Sequence, residues 1–389
     1  MRRGRLLLAL VIVAVARAGA AAQASPATAS PGSGRTDAAR RQPASPKAGE
    51  LAAVERHLSE EVRRNPDSVD AHHTLAAFYI EQGKLDAAIP HLVRARELDP
   101  ADYAIGYDLA LALLETGKVD EARALIARMM ESKETAELHN LLGNVEERSG
   151  NLVAAADEYQ RAAHADPTEG HLFDWGNNLL QLRSFENAAE VFVAAVERHP
   201  QSARLHVGLG IAQYSRGQYE AAVKSFCRAA DLSPSDSRPY QFLGEMYGVV
   251  PAMSGEITER LARFAKAHPR NALAQFHYAM SLWKGGTEAA ADLRQVEALL
   301  RRAVTLDRTF AKGFLELGIL LSDRQRYREA ILELQRATRL EPDLAQAHYR
   351  LAQAYQRAGQ KAMAAKELEI FERLNAPPSR DERRPPGLA

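Results

Sequence analysis

The sequence predicts an all-α solenoid built from about eight to nine stacked helix-turn-helix repeats. Three features predict it: a proline recurring with a period near 34 residues, small residues at fixed offsets in each period, and a glycine near the middle of most periods. The recurring prolines are Pro66, Pro100, Pro167, Pro200, Pro234, Pro269 and Pro342. A period of this length is typical of an array of one small supersecondary element.

Each part of the period has a structural interpretation. The proline stops the second helix of a repeat, because it lacks an amide hydrogen and clashes with the preceding turn. The mid-period glycine suits the tight turn between the two helices, and it occurs at positions 83, 117, 150, 217 and 359. Small residues let the helices approach closely, whereas large ones such as Leu92 and Phe226 fill the space between them. One repeat cannot bury its apolar face alone, so neighbours must stack.

This pattern resembles the tetratricopeptide repeat, a 34-residue helix-turn-helix element. One full copy carries Leu75-Ala76, Tyr79, Gly83, Ala88 and Ala95 before Pro100, and the resemblance extends over about residues 68–375. It implies a right-handed solenoid in which the first helices of successive repeats line a concave groove.

The chain divides into segments of different character. We predict a signal peptide at 1–24, a Pro/Ala/Ser-rich linker at 25–48, a capping helix at 49–67 and repeats 1–5 at 68–236. Irregular repeats 6–7 follow at 237–309, repeats 8–9 at 310–375, and a disordered tail at 376–389.

Repeats 6 and 7 depart from the pattern in two places. In repeat 6 the segment 249–255 replaces the tight turn, and the small residue expected near Ile257 is absent. Repeat 7 has about five extra residues around Gly285-Gly286-Thr287, and Arg308 stands where a proline is expected. One interpretation is a tolerated loop followed by a degenerate repeat. The other is a hinge that divides the solenoid.

The N-terminus predicts export. Arg2, Arg3 and Arg5 precede an apolar run at 6–16, and small residues follow up to Ala24, as in a secretory signal peptide. Eleven residues span about 16 Å as a helix, roughly half of a bilayer core. We therefore expect a periplasmic or secreted protein. The alternative is a protein anchored to the membrane by an uncleaved N-terminal segment, which is the only membrane contact that we expect.

Charge and cysteine content exclude several classes of function. Lys+Arg and Asp+Glu number 50 each, so the basic excess typical of nucleic-acid binding is absent and we expect no nucleic-acid partner. The single cysteine, Cys227, allows no intrachain disulfide and no thiolate zinc cluster.

No motif of enzymatic chemistry occurs, and we predict no catalytic residue, cofactor or metal ligand. Adjacent His72 and His73 would point about 100° apart on a helix, which is poor geometry for a metal. Cys227 follows Phe226 in a second helix, where packing is favoured over nucleophilic catalysis. The irregular segment offers Glu256 and Thr258 without a nearby histidine or lysine.

The resemblance implies which side chains face the groove. Those positions hold amides, aromatics and one arginine: Tyr107, Asn140, Asn144, Phe173, Asn177, Arg204, Tyr214, Gln241, Phe276, Trp283 and Tyr349. Amides can bond the backbone of an extended peptide, and aromatics offer rigid contact area. The alternative is that about half of the aromatics pack between helices.

We therefore predict a non-catalytic scaffold or adaptor that binds other proteins or peptide segments in the groove. One alternative is a structural component of an envelope secretion or assembly complex that uses its convex face. A third, less favoured, is an enzyme with an unrecognised site near residues 249–258.

Overall fold

The computed structural model describes residues 48–285 and 292–376. These ranges contain 19 α-helices, one short 3₁₀ helix and no β-strand. The all-helical prediction is therefore confirmed. The chain forms two compact units, which we call unit 1 (up to Pro200) and unit 2 (from Gln201). Each is described by itself.

Unit 1 consists of one helix and four helix pairs. Helix α1 (Ala48–Arg64) packs on α2 and covers the first repeat. The pairs are α2 (Val69–Glu81) with α3 (Leu85–Leu98), α4 (Tyr103–Glu115) with α5 (Val119–Ser132), α6 (Ala136–Arg148) with α7 (Leu152–Ala165), and α8 (Glu169–Gln181) with α9 (Phe185–Arg198).

Unit 2 contains five further pairs. They are α10 (Ala203–Ser215) with α11 (Tyr219–Leu232), α12 (Ser237–Met246) with α13 (Ser254–Ala267), α14 (Ala272–Lys284) with α15 (Leu293–Leu306), α16 (Ala311–Asp323) with α17 (Tyr327–Leu340), and α18 (Ala345–Arg357) with α19 (Lys361–Asn375). Within each unit, the second helix of a pair packs on the first helix of the next pair.

Helix boundaries follow from short-range signals. The first helices of repeats 1–7 begin after a side chain that accepts a hydrogen bond from the helix backbone, for example Ser68 from the amide of Ala71. The turn into the second helix needs a left-handed residue, and Gly83 takes that conformation with φ +68°. All five predicted turn glycines have positive φ, so their role is confirmed. In two repeats Arg183 (φ 58°) and Gln325 (φ 60°) take this position instead.

Small residues allow the two helices of a repeat to touch, as predicted. A Cβ atom added at Gly143 would lie 2.6 Å from the Tyr159 ring, and one at Gly176 would lie 2.7 Å from Phe192. Both rings are buried. Burying a large aromatic side chain stabilises the fold by about 2–3 kcal/mol, so this close approach is a main source of stability in these two repeats.

Repeat 6 is built differently. Helix α12 has only 10 residues, and a 3₁₀ turn at Pro251–Met253 leads into α13. Ile257 is fully buried at the place where a small residue was expected. Gly244 has as its neighbour the ring of His277 on α14, and a Cβ atom there would lie 2.2 Å from that ring. A residue from the next repeat thus replaces the usual contact within the repeat.

Several predictions concern residues outside the described ranges. The signal peptide, nearly all of the linker, and the tail from Pro377 onward lie there. So do residues 286–291, which include most of the predicted insertion in repeat 7. Export and anchoring therefore stay predictions. In the described part of the chain, no helix is both long and apolar enough to cross a membrane.

Candidate functional site

The predicted groove positions lie on the first helices of the repeats, and neighbouring first helices touch within each unit. Helix α6 contacts α4 and α8 in unit 1, and α16 contacts α18 in unit 2. The stacking of pairs produces this contact because each first helix lies beside the one that follows it 34 residues later.

In unit 1, the predicted asparagines belong to a hydrogen-bond network. Asn140 Nδ2 donates to Asp174 Oδ2 at 2.9 Å and so links α6 to α8. Asn144 Nδ2 lies 3.5 Å from Asn140 Oδ1. The Tyr159 hydroxyl lies 3.0 Å from both Asn144 Oδ1 and Glu147 Oε2. Burial raises the pKa of Tyr159 well above its ordinary value, so the hydroxyl stays protonated as a donor.

Further polar contacts link successive first helices at the repeat spacing. Gln181 Nε2 donates to Glu147 Oε1 at 2.9 Å, and Arg148 Nη1 donates to the Leu114 carbonyl oxygen at 2.6 Å. Glu147, Asp174 and Gln181 were not predicted as site residues. The signal that could have identified them is their spacing, since Asn140 and Asp174 are 34 residues apart, as are Glu147 and Gln181.

Several predicted groove residues of unit 1 are buried. Phe173 is 3% exposed and packs edge-on against Phe192, with ring centroids 6.3 Å apart. Asn140 and Asn177 are buried as well. Tyr107 is half-buried beside Tyr103, and burial raises its pKa to about 12. Asn144 is also half-buried. In unit 1 these positions therefore hold neighbouring helices together more than they offer a free surface.

Unit 2 covers one of its predicted groove aromatics. Phe276 is 1% exposed, and Lys312 Nζ lies 5.6 Å from its ring centroid. The same ammonium lies 2.9 Å from Glu245 Oε1, so an ion pair from α12 to α16 closes over the ring. For Phe276, as for Phe173, the structure favours the alternative of packing between helices.

The other predicted residues of unit 2 are more accessible. Gln241 is exposed on α12. Tyr349 is 37% exposed, with its ring 5.0 Å from that of Phe371. Trp283 is half-buried under Lys284, whose Nζ is 4.8 Å from the ring centroid. Tyr214 packs against Tyr219 on the following helix, and Arg204 is half-buried on α10.

A cavity of 740 Å³ lies between the first helices of the last two repeats, α16 and α18. Hydrogen-bonding side chains supply most of its wall: Ser322, Asp323, Gln325, Tyr327, Arg350, Gln353, Gln356 and Arg357. Arg350 Nη1 donates to Gln353 Oε1 at 3.2 Å. Among the described residues, no carboxylate is paired with Arg350 or Arg357, and the buried Ser322 hydroxyl has no partner. The cavity therefore offers several free donors.

The described residues show no grouping of three or more His, Cys, Asp or Glu side chains that could hold a metal ion. Cys227 is 3% exposed, and burial raises its pKa to about 11. Its thiol is therefore protonated at neutral pH and would be a poor nucleophile. Glu256 is exposed and lies 3.8 Å from Arg260.

Three family models match the chain. Two described as "Tetratricopeptide repeat" match residues 79–145 and 173–237, and one described as "TPR repeat" matches residues 320–359. All three ranges fall on consecutive helices of the structure. The chain is a tetratricopeptide repeat protein. Membership of this family supports a role as a protein-interaction scaffold.

Curated relatives of this tetratricopeptide repeat protein are similar only in part. Protein O-mannosyl-transferase TMTC1 of Homo sapiens is 26% identical over 167 residues, covering 41% of this chain and 19% of the relative. The peroxisomal targeting signal receptor of Yarrowia lipolytica is 24% identical over 200 residues, covering 50% of this chain and 29% of the relative. The chain thus matches less than a third of the length of either relative.

Some solved structures are also similar. YrrB, described as a TPR protein with an unusual peptide-binding site, is 19% identical with a TM-score of 0.38, covering 48% of this chain and 96% of YrrB. The Cut9 complex with Hcn1 is 13% identical with a TM-score of 0.41, covering 84% of this chain and 91% of the matched one.

Proposed function

We propose that this tetratricopeptide repeat protein binds a segment of another protein at the cavity between α16 and α18, and that it catalyses no reaction. The observation that carries the proposal is the cavity itself: 740 Å³ between two neighbouring first helices, with amide, hydroxyl and guanidinium groups in its wall. An extended peptide has one backbone donor and one acceptor per residue, and such groups can satisfy them.

The polar lining also explains why a peptide suits this cavity better than an apolar small molecule. Small-molecule sites are mostly apolar with a few polar groups, whereas hydrogen-bonding side chains supply most of this wall. Gln356 and Arg357 are exposed at the cavity. Tyr349 lies about one helical turn before Gln353 on α18 and offers an aromatic surface for a side chain of the partner. The Yarrowia lipolytica relative is by name a receptor for a targeting signal, which is a partner of this kind.

A photo-crosslinking experiment tests the proposal. A benzophenone amino acid replaces Gln356 at the cavity rim, and a control variant carries it at Leu332, which is 57% exposed on the second helix α17. Crosslinking of one protein from position 356 and not from 332 is the expected result. Crosslinking from 332 alone, or equally from both positions, would contradict it and would favour an assembly that uses the outer face.

A second experiment weakens the site without disturbing the core. The double variant Gln353→Ala and Arg357→Ala removes two donors from the cavity wall. We expect loss of the partner crosslinked from position 356, because each hydrogen bond lost at an interface typically costs about 1–3 kcal/mol of binding free energy. The matched control is Leu332→Ala, which leaves the cavity intact. Equal retention by both variants would argue against this cavity.

We also propose that the protein works in the cell envelope. Support comes from the sequence at 1–24, where a basic start, a short apolar run and small residues follow one another. Fractionation of cells followed by N-terminal sequencing tests this. A mature N-terminus near Ser25 in the soluble envelope fraction is expected. An intact N-terminus in the membrane fraction would point to the anchored alternative, and an intact N-terminus in the cytoplasm would refute export.

A further inference from the structure

Two histidines, one buried and one half-buried, meet in the first repeat of unit 1. His72 Nδ1 on α2 lies 3.2 Å from His91 Nδ1 on α3, and the ring centroids are 5.4 Å apart. His72 Nε2 lies 3.1 Å from the Pro66 carbonyl oxygen. His72 is 7% exposed, and His91 is half-buried.

The carbonyl contact decides how the protons are arranged. The Pro66 oxygen can only accept, so His72 Nε2 must carry a hydrogen and Nδ1 of the neutral ring is an acceptor. His91 Nδ1 must then donate to it. Protonation of both rings would place two N–H groups face to face at 3.2 Å and two positive charges in contact. The closed pair can therefore bind only one added proton, whereas two separated rings in water can bind two.

The last repeat contains the same arrangement with one residue changed. His348 Nε2 lies 3.0 Å from the Pro342 carbonyl oxygen, and its Nδ1 lies 2.6 Å from Glu367 Oε2. Both spacings match those of the first repeat: six residues from the proline to the histidine, and 19 residues to the partner. Protonation of His348 keeps its bond to the carboxylate of Glu367. Protonation of both His72 and His91 removes the bond between them.

Repeat 3 supports the comparison. His139 occupies the position equivalent to His72, and its Nδ1 lies 2.6 Å from Glu158 Oε2, again 19 residues away. Its Nε2 lies 2.8 Å from Glu134 Oε1. The histidine–carboxylate pair thus occurs in two repeats, and the first repeat differs by having a second histidine where they have a glutamate.

Charged groups on the elements around the pair are bound to other partners. Glu55 of α1 accepts from the Tyr79 hydroxyl and from Lys84. Asp108 of α4 bonds His73 at 3.1 Å.

In the loop before α2, Asp67 accepts from Arg94 of α3 at 2.6 Å, and Arg94 also donates to Glu97. In the part of the chain that the structure describes, neither His72 nor His91 has a carboxylate partner to offset its charge.

We propose that α2 and α3 separate reversibly in mildly acidic solution because His72 and His91 cannot both be protonated while they are in contact. The direction follows from proton linkage. Burial, and secondarily the neighbouring His72, lower the pKa of His91, so the closed repeat binds fewer protons than the open one. The contact between α2 and α3 is therefore most stable above the ordinary histidine pKa of about 6.5, and this stabilisation is lost as the pH falls below that value.

Hydrogen exchange of the whole chain tests the proposal, with protection corrected for the intrinsic pH dependence of exchange. In the wild type, we expect protection of residues 69–98 to fall several-fold between pH 7.5 and pH 5.5, while residues 345–375 change little. His91→Glu converts the first repeat to the arrangement of the last, and its residues 69–98 should keep their protection. His91→Gln serves as a second variant if His91→Glu does not fold, because it keeps a donor and cannot be charged.

The reciprocal variant Glu367→His supplies the matched control. It gives the last repeat the histidine pair, and residues 345–375 should then become acid-sensitive. The proposal is overturned if wild-type residues 69–98 keep their protection at pH 5.5. It is equally overturned if the His91 variants lose as much protection as the wild type, or if Glu367→His leaves residues 345–375 insensitive to acid.

Discussion

His277 Nδ1 lies 3.1 Å from the carbonyl oxygen of Gly244, and the imidazole ring occupies the space that a side chain at 244 would need. The histidine is fully buried between α12 and α14. It therefore completes the irregular repeat 6, in which the usual contact between a small and a large residue of the same repeat is missing. Position 244 requires glycine, because the Cβ atom of any other residue would lie 2.2 Å from the His277 ring.

This contact predicts an acid-sensitive unit 2. Burial lowers the pKa of His277 to about 4; Glu245 has a smaller effect that raises the pKa, and Lys312 has a smaller effect that lowers it. The unfolded chain, with a histidine pKa of about 6.5, binds the proton more readily, so stability is lost as the pH falls from 6.5 to 4. The loss should approach about 3 kcal/mol, and urea unfolding at pH 7.5 and pH 4.5 measures it.

The control is His277→Asn, which keeps a donor near the Gly244 oxygen and does not titrate. Its unfolding free energy should depend less on pH than that of the wild type, whatever its stability at pH 7.5. An equal pH dependence in both proteins would show that His277 is not responsible.

A second prediction concerns the close approach of α6 and α7. Gly143→Ala places a methyl group 2.6 Å from the buried Tyr159 ring, and we expect a loss of about 1–3 kcal/mol of unfolding free energy. Gly255→Ala is the matched control, because no atom lies within 4 Å of its added Cβ. Alanine there should be neutral or stabilising by up to about 1 kcal/mol. Similar losses in both variants would contradict the packing argument.

A third prediction concerns the turn between α8 and α9. Arg183 has φ 58°, a conformation that costs a residue with a Cβ atom about 1–2 kcal/mol. Arg183→Gly removes this strain but adds conformational freedom to the unfolded chain. We therefore expect the free energy of unfolding, measured by heat or urea, to rise by roughly 0.5 kcal/mol. Gly150→Ala, at φ 82°, should change stability in the opposite direction. A loss of stability in Arg183→Gly would mean that its side chain contributes more than the strain costs.

A fourth prediction concerns a buried amide in α8. Asn178 is 0% exposed, and neither polar atom of its side chain has a hydrogen-bond partner in the described part of the chain. Because an unsatisfied buried group costs about 1–3 kcal/mol, Asn178→Leu should raise the unfolding free energy by about 1 kcal/mol.

Asn140→Leu is the comparison for this variant. Asn140 is also buried, but it donates to Asp174, so its loss should destabilise the protein. The prediction fails if both substitutions destabilise by similar amounts.

Local chemistry made most of the fold predictable. The recurring prolines, the turn glycines such as Gly83, and pairs such as Gly143 and Tyr159 act within one repeat, so the sequence period reveals them. The turn at Arg183 could not be identified in this way, because neighbouring contacts impose a left-handed conformation on a residue that does not favour it.

The site was less predictable, because exposure depends on residues in other repeats. Phe276 is covered by Lys312, which pairs with Glu245 from 67 residues earlier. That contact depends on how the first helices of three successive repeats, α12, α14 and α16, are placed, which the residues of one repeat do not specify. The cavity wall near Gln353 likewise combines side chains of two repeats, so its size appears only in the folded unit.

The buried thiol of Cys227 can be used to measure local opening of the protein. Because it is the single cysteine and its thiol is shielded and protonated, a maleimide reagent should leave the native protein unmodified at neutral pH. Alkylation would then proceed only when α11 detaches, and its rate would measure how often that helix is released. A cysteine introduced at an exposed position would take a fluorophore selectively, with no need to replace the native one.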